Sequence, residues 1–173
     1  MKTVKKVVSK KNNLVKEKKS PIIQLLQSAL ADEWLAHYQY WVGSKIAVGP
    51  LRPSVVAEFN EHAKQEYDHA NKLADRILQL GGEILTHPKD WFTKSNCGYQ
   101  VPSIPGVVQL LKQNIDGELC AIEVYKKIIA MADKVDSVTY YLAIDILKEE
   151  EAHRYELQSL LDDIIEQQKI CCK

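Results

Sequence analysis

The segment Lys64-Gln65-Glu66-Tyr67-Asp68-His69-Ala70 sets a carboxylate and an imidazole three residues apart, within a stretch of helical apolar periodicity. Three residues of helix advance about 300°, so Glu66 and His69 emerge side by side and can share one metal ion. One such pair carries little weight, because thirteen Glu and five His in 173 residues yield about 0.4 of them by chance. The weight comes from a second copy, Glu150-Glu151-Ala152-His153, which lies 84 residues downstream. Each pair is preceded by a lone glutamate in another helical stretch, Glu33 before the first and Glu118 before the second. Both lone glutamates have Ala at +3 (Ala36, Ala121) and Tyr at +7 (Tyr40, Tyr125), two turns along the same face. Four glutamates and two histidines turned into one core would carry a prohibitive desolvation cost unless cations sat among them. A dinuclear metal centre meets that need.

The elements that must position these groups are two similar helix pairs. Ser20-Pro21 marks the start of a first helix that runs to about Val48, where Gly49-Pro50 stops it. Glu33 falls inside its apolar stripe with Leu26, Ala29, Leu30, Ala36 and Tyr40. His37, one turn beyond, reads either as an outer metal contact or as a hydrogen-bonded core or surface histidine. A second helix begins at Pro53-Ser54 and ends near Gly81-Gly82. On it His62, Glu66 and His69 align at i, i+4 and i+7, so His62 is either an accessory ligand or a bystander on the entry path. Residues 81 to 105 make a connection of about 25 residues, long enough to travel the length of a bundle between two parallel helices. Its aromatic content predicts that it is packed down, with a short helix from Lys89 to Phe92 or Lys94. A third helix to about Asp133 carries Glu118, and a fourth from about Ser137 to Gln168 carries Glu150 and His153. In the run Glu149-Glu150-Glu151 only Glu150 has the inward phase, and its two neighbours read as solvated.

The rest of the composition narrows the function. No apolar run approaches the roughly 18 residues of a membrane helix, and the Lys-rich start has no apolar stretch after it. The four cysteines lack paired Cys-x-x-Cys spacing, which disfavours a structural zinc or rubredoxin-type site; a cytoplasmic location is the default expectation. Zero net charge conceals an asymmetry. Residues 1–20 hold eight Lys and one Glu, leaving 15 basic against 22 acidic residues in the remainder. Residues 1–19 thus read as a flexible Lys-rich arm, either solubilising or able to make weak DNA contacts through phosphates. Residues 20–168 form the bundle and residues 169–173 a tail.

The set Glu33, Glu66-x-x-His69, Glu118 and Glu150-x-x-His153 resembles the ferritin-like superfamily over about residues 20–168, with a complete bacterioferritin-type ligand pattern. The resemblance implies Glu33 and Glu118 as terminal carboxylates, Glu66 and Glu150 as bridges, and His69 and His153 as one imidazole per metal. Tyr40 and Tyr125 would orient the carboxylates. Tyr67 stands where haem-binding members carry Met, so no haem is expected, and the chain ends too soon for a fifth C-terminal helix. The fold expected is therefore an all-α, ferritin-like four-helix bundle, its two helix pairs joined by a long crossover with a short helix. The pattern is similar to the thioferritin, or Dps-like, branch known from anaerobic bacteria and archaea. Cys97 and Cys120 match that branch's redox cysteine pair in kind and place, although a free Cys120 taken alone reads as a small apolar core residue. The resemblance implies two Fe per subunit (Mn or Zn able to substitute), with Fe(II) oxidised by hydrogen peroxide or dioxygen inside a homo-oligomeric, dodecameric shell. Two other readings stay open, a manganese catalase-like enzyme and a DNA-compacting protein with secondary iron storage.

Overall fold

The computed structural model describes the backbone of residues 2–171 and the side chains of residues 21–170. Its helices are α1 (Lys2–Ile46), α2 (Arg52–Gln79), α3 (Lys89–Lys94), α4 (Val107–Ala132) and α5 (Ser137–Cys171). The all-helical bundle is as expected, but the expected absence of a fifth, C-terminal helix is overturned. The described residues form five helices, and the fifth is a long C-terminal one of 35 residues. Two physical causes account for the count. Lys89–Lys94 closes a helix of its own inside the crossover, and after Ser137 neither Gly nor Pro interrupts the chain before Cys171. A second difference lies at the start. Helix α1 begins at Lys2 rather than at Ser20-Pro21, which places Pro21 inside it. The side chains of the Lys-rich segment 1–19, and Cys172 and Lys173 at the tail, lie outside the described residues.

Local chemistry explains the stops. After α2, Gly81 adopts φ +79°, a left-handed conformation that costs a side-chain residue more than glycine. The Gly81 N–H donates to Leu78 O at 2.9 Å and the Gly82 N–H to Ile77 O at 2.9 Å, closing the last turn. At the other end of α2, Arg52 Nε donates to Ala47 O at 2.7 Å and so fastens the turn between α1 and α2. That turn is tied to the end of the crossover. Val48 N–H donates to Pro105 O at 2.8 Å, and Val107 N–H donates to Val48 O at 3.0 Å.

Helix α1 packs along α2 and α4 along α5, with α1 facing α4 and α2 facing α5 across the bundle. The apolar core is divided in two. One half gathers Leu26, Leu30, Leu73, Ile77, Ile128 and Ile146. The other gathers Val55, Phe59, Leu110, Leu111, Leu157 and Ile164. Each such side chain, buried, stabilises the fold by roughly 1.5–3 kcal/mol. Between the two halves lies a slab of buried polar groups.

Candidate metal centre

Six of those polar groups are the residues singled out by spacing. Glu33, Glu66, Glu118 and Glu150 are between 1% and 3% exposed, and His69 and His153 no more than 2%. The four long helices supply them, Glu33 from α1, Glu66 and His69 from α2, Glu118 from α4, and Glu150 and His153 from α5.

They form two overlapping sets. Glu33, Glu66, His69 and Glu150 bring one ligand atom each within 4.8 Å of one another, and so do Glu66, Glu118, Glu150 and His153. Glu66 and Glu150 belong to both, which is the position of a bridge. His69 Nδ1 lies 3.4 Å from Glu33 Oε2, 3.2 Å from Glu66 Oε2 and 3.1 Å from Glu150 Oε1. Ligands held about 2.1 Å from an ion in tetrahedral array stand roughly 3.4 Å apart, so these edges fit a metal. On the other side His153 Nδ1 lies 3.4 Å from both Glu66 Oε1 and Glu150 Oε2 and 3.8 Å from Glu118 Oε2.

The outer edges of both imidazoles are occupied. His69 Nε2 donates to Glu149 Oε2 at 2.7 Å, and Lys72 Nζ donates to the same carboxylate at 3.3 Å. His153 Nε2 donates to Gln65 Oε1 at 2.8 Å. A proton held at Nε2 turns the Nδ1 of each ring toward carboxylate oxygens, where either a second proton or a metal ion must stand between them. The buried oxygens of Glu150 and the Nδ1 of His153 have no hydrogen-bond partner. These orphaned atoms fit two metal ions.

The terminal glutamates are anchored crosswise. Tyr125 of α4 donates to Glu33 Oε1, and Tyr40 of α1 donates to Glu118 Oε1. Burial, joined by repulsion from Glu150 and Glu66, pushes the carboxyl of Glu33 well up from its ordinary range. Burial and the same two neighbours do so for Glu118. Burial also acts against charge on Glu66, but the adjacent His153 and His69 imidazoles and the Glu33 carboxyl outweigh it and hold the Glu66 carboxyl well below the usual range. At both histidines burial opposes charge, and contacts with the surrounding glutamates override it and raise the imidazole. With protons alone to balance it, the slab keeps charge on Glu66 and protons on the terminal glutamates and both imidazoles, and metal ions bound there would replace those protons.

A cavity of about 40 Å³ adjoins the centre, lined by Glu33, Tyr40, Glu66, Glu118 and Glu150 and on its outer side by Asp32, Gln39, Cys97, Gln100 and Asn114. Cys97 and Cys120 are joined in a disulfide with Cα atoms 5.8 Å apart, which fastens the crossover to α4. Asp32 fastens the same stretch to α1. Its Oδ1 accepts the backbone N–H groups of Asn96 and Cys97, each at 2.8 Å, and its Oδ2 accepts from Asn96 Nδ2 at 2.6 Å. Burial pushes its carboxyl up, against those three hydrogen bonds.

The two accessory histidines part ways. His37 Nδ1 donates to Ala63 O at 2.6 Å and joins none of the candidate ligand groups. His62 is 1% exposed, stacks on His153 with ring centroids 4.0 Å apart, and forms a ligand group with Glu118 and His153. Burial, then repulsion by His153, lowers its imidazole to about 3. Glu149, Gln65 and Asp32 were not singled out by spacing. Glu149 read as solvated because it lies one residue out of phase, and only the distance to His69 across the α2–α5 seam reveals its part.

A helix bundle with two carboxylates shared between two histidine-containing ligand sets is the architecture of di-metal carboxylate proteins. The ferritin-like domain family matches residues 23–166, and the chain belongs to that family. It is 31% identical to the DNA protection during starvation protein of Pyrococcus furiosus over 142 residues, 81% of this chain and 76% of that one. It is 30% identical to a bacterioferritin of Desulfovibrio desulfuricans over 138 residues, 79% of this chain and 72% of that one. The solved structure of the dodecameric thioferritin of Bacteroides fragilis, a bacterioferritin-related protein, superposes with a TM-score of 0.90 at 40% identity, over 95% of this chain and 99% of that one.

Proposed function

We propose that the chain is a ferroxidase of the thioferritin kind, which oxidises Fe(II) at an intrachain two-iron centre and stores the ferric product within a dodecameric shell. Support for the centre comes above all from Glu66 and Glu150, common to both ligand sets, with both Glu150 oxygens otherwise orphaned. Iron is the substrate. Two Fe(II) supply the two electrons that convert one hydrogen peroxide and two protons into two waters. Glu33 and Glu118 hold the outer positions, and Tyr125 and Tyr40 fix their direction. His69 and His153 each present Nδ1, with Glu149 and Gln65 keeping the ring proton on the far edge. Carboxylate oxygens favour the ferric over the ferrous ion, which draws the oxidation forward. Hydrogen peroxide is the preferred oxidant in this reading, dioxygen the slower one. A cavity wide enough for about three waters adjoins the shared carboxylates and admits a molecule of that size. The dodecamer rests on the likeness to the Bacteroides fragilis protein, whose 40% identity spans nearly the whole chain.

Anaerobic stopped-flow oxidation of Fe(II) by peroxide tests the activity. The expected stoichiometry is two Fe(II) per peroxide, with loss of the fast phase in E66A/E150A. An unchanged fast phase in that variant, or oxygen evolution from peroxide with manganese bound, would overturn it. Light scattering should give a native mass twelve times the 19.7 kDa chain.

A further inference from the structure

The stack of His62 on His153 leads out of the centre to a second group of ligands. His62 Nε2 lies 3.4 Å from Glu58 Oε1 and 3.2 Å from Glu156 Oε2. We propose that Glu58, His62 and Glu156 form a third cation site on the α2–α5 seam, one through which iron passes between the two-iron centre and the surface.

Four observations carry this. The three side chains bring one ligand atom each within 4.8 Å of one another, and the two measured edges match those around a metal about 2.1 Å from its ligands. Among the described residues neither Glu58 nor Glu156 pairs with Lys or Arg, so two carboxylates converge on one imidazole without a cation. Glu58 and His62 stand one turn apart on α2 and Glu156 meets them from α5, so the three groups converge from two helices. His62 is almost wholly buried, and its Nδ1 has no hydrogen-bond partner. Whichever ring nitrogen carries the proton, one edge of this imidazole goes unmet. A proton on Nε2 would meet Glu156 and leave Nδ1 unmet, whereas a proton on Nδ1 turns the Nε2 lone pair to both carboxylates, a position for a cation.

Placement gives the site its role. It lies on the seam between α2 and α5, whereas the cavity beside Cys97 opens where α1 meets α4, across the bundle. The three groups grade from buried His62 through half-buried Glu58 to exposed Glu156, a path from core to solvent. His62 also groups with Glu118 and His153 of the centre, so it adjoins both sites. Three protein ligands leave positions for water, which suits a site that exchanges its ion rather than retaining it. The identity of the metal as iron rests on the function proposed above; the site itself rests on these contacts.

Zn(II), which has no redox chemistry, is the probe. Crystals of the full chain equilibrated with Zn(II) would be measured at the zinc edge, alongside zinc per chain after equilibrium dialysis. The wild type should show a peak among Glu58, His62 and Glu156 in addition to those at the centre. E58Q/E156Q, whose changes lie at or near the surface, should lose that peak and one zinc per chain while keeping the others. Absence of the peak in the wild type, or an unchanged count in E58Q/E156Q, would overturn the proposal. Peaks missing only among Glu33, Glu66, His69, Glu118, Glu150 and His153 would instead overturn the function proposed above and leave this site standing.

Discussion

The phenols of Tyr40 and Tyr125 each reach across the bundle to the terminal glutamate of the opposite helix pair. Partners that hold a ligating carboxylate in place commonly account for 10–100-fold in metal affinity. Y40F and Y125F should therefore each weaken metal binding by about that factor, as measured by calorimetry, while the helical content stays unchanged. At this scale the sequence was legible wherever helical phase decides which way a side chain points. The spacing of Glu33 to Tyr40 and of Glu118 to Tyr125 placed all four residues inward. It was blind to contacts made between helices. Glu149 and Gln65 stand next to ligands in the chain, yet they serve the histidine of the other pair. No periodicity within one helix encodes that relation.

Asp136 fixes where α5 begins. Its Oδ1 accepts the Thr139 N–H at 3.2 Å, its Oδ2 accepts the Thr139 hydroxyl at 2.8 Å, and Arg76 of α2 donates to both oxygens at 2.7 Å. One side chain thus caps a helix and docks it on its neighbour. D136A should destabilise the fold by about 3 kcal/mol, a cap and a charge-assisted hydrogen bond together, seen as a lower denaturation midpoint. Burial pushes the Asp136 carboxyl up, but Arg76 and Thr139 outweigh it and hold it below the ordinary range. A carboxyl so depressed stabilises the fold above its unfolded value and loses that contribution as pH falls through its folded one. The difference between wild type and D136N should accordingly be full at neutral pH and close below about pH 4. Element ends were readable where Gly or Pro sets them, as at Gly81. They were misread where a breaker is tolerated, as at Pro21 inside α1. The fifth, C-terminal helix was wrongly excluded because the short crossover helix, itself expected near Lys89 to Lys94, takes a place in the count and makes the long helix from Ser137 the fifth.

Across the whole molecule, the polar slab separates two apolar halves that share the same four long helices. Ions bound in the slab favour the folded chain by mass action, about 4 kcal/mol per site at a thousandfold excess over the dissociation constant. For a chain of this size that corresponds to roughly 10 °C per site, so chelation should lower the calorimetric melting temperature by at least that much. A melting temperature unchanged by chelation would mean that no ions are bound in the slab.

The clamp of Asp32 on Asn96 and Cys97 does not depend on the bond between the sulfurs. Opening that bond with a reductant should leave the strap lying against α1, as resistant to protease as before, whereas D32A should fray it once the thiols are free. Two thiols kept face to face in this way meet at a local concentration far above that of any solute thiol. They would recouple with each other after every cycle of oxidant, before a foreign partner could capture either one.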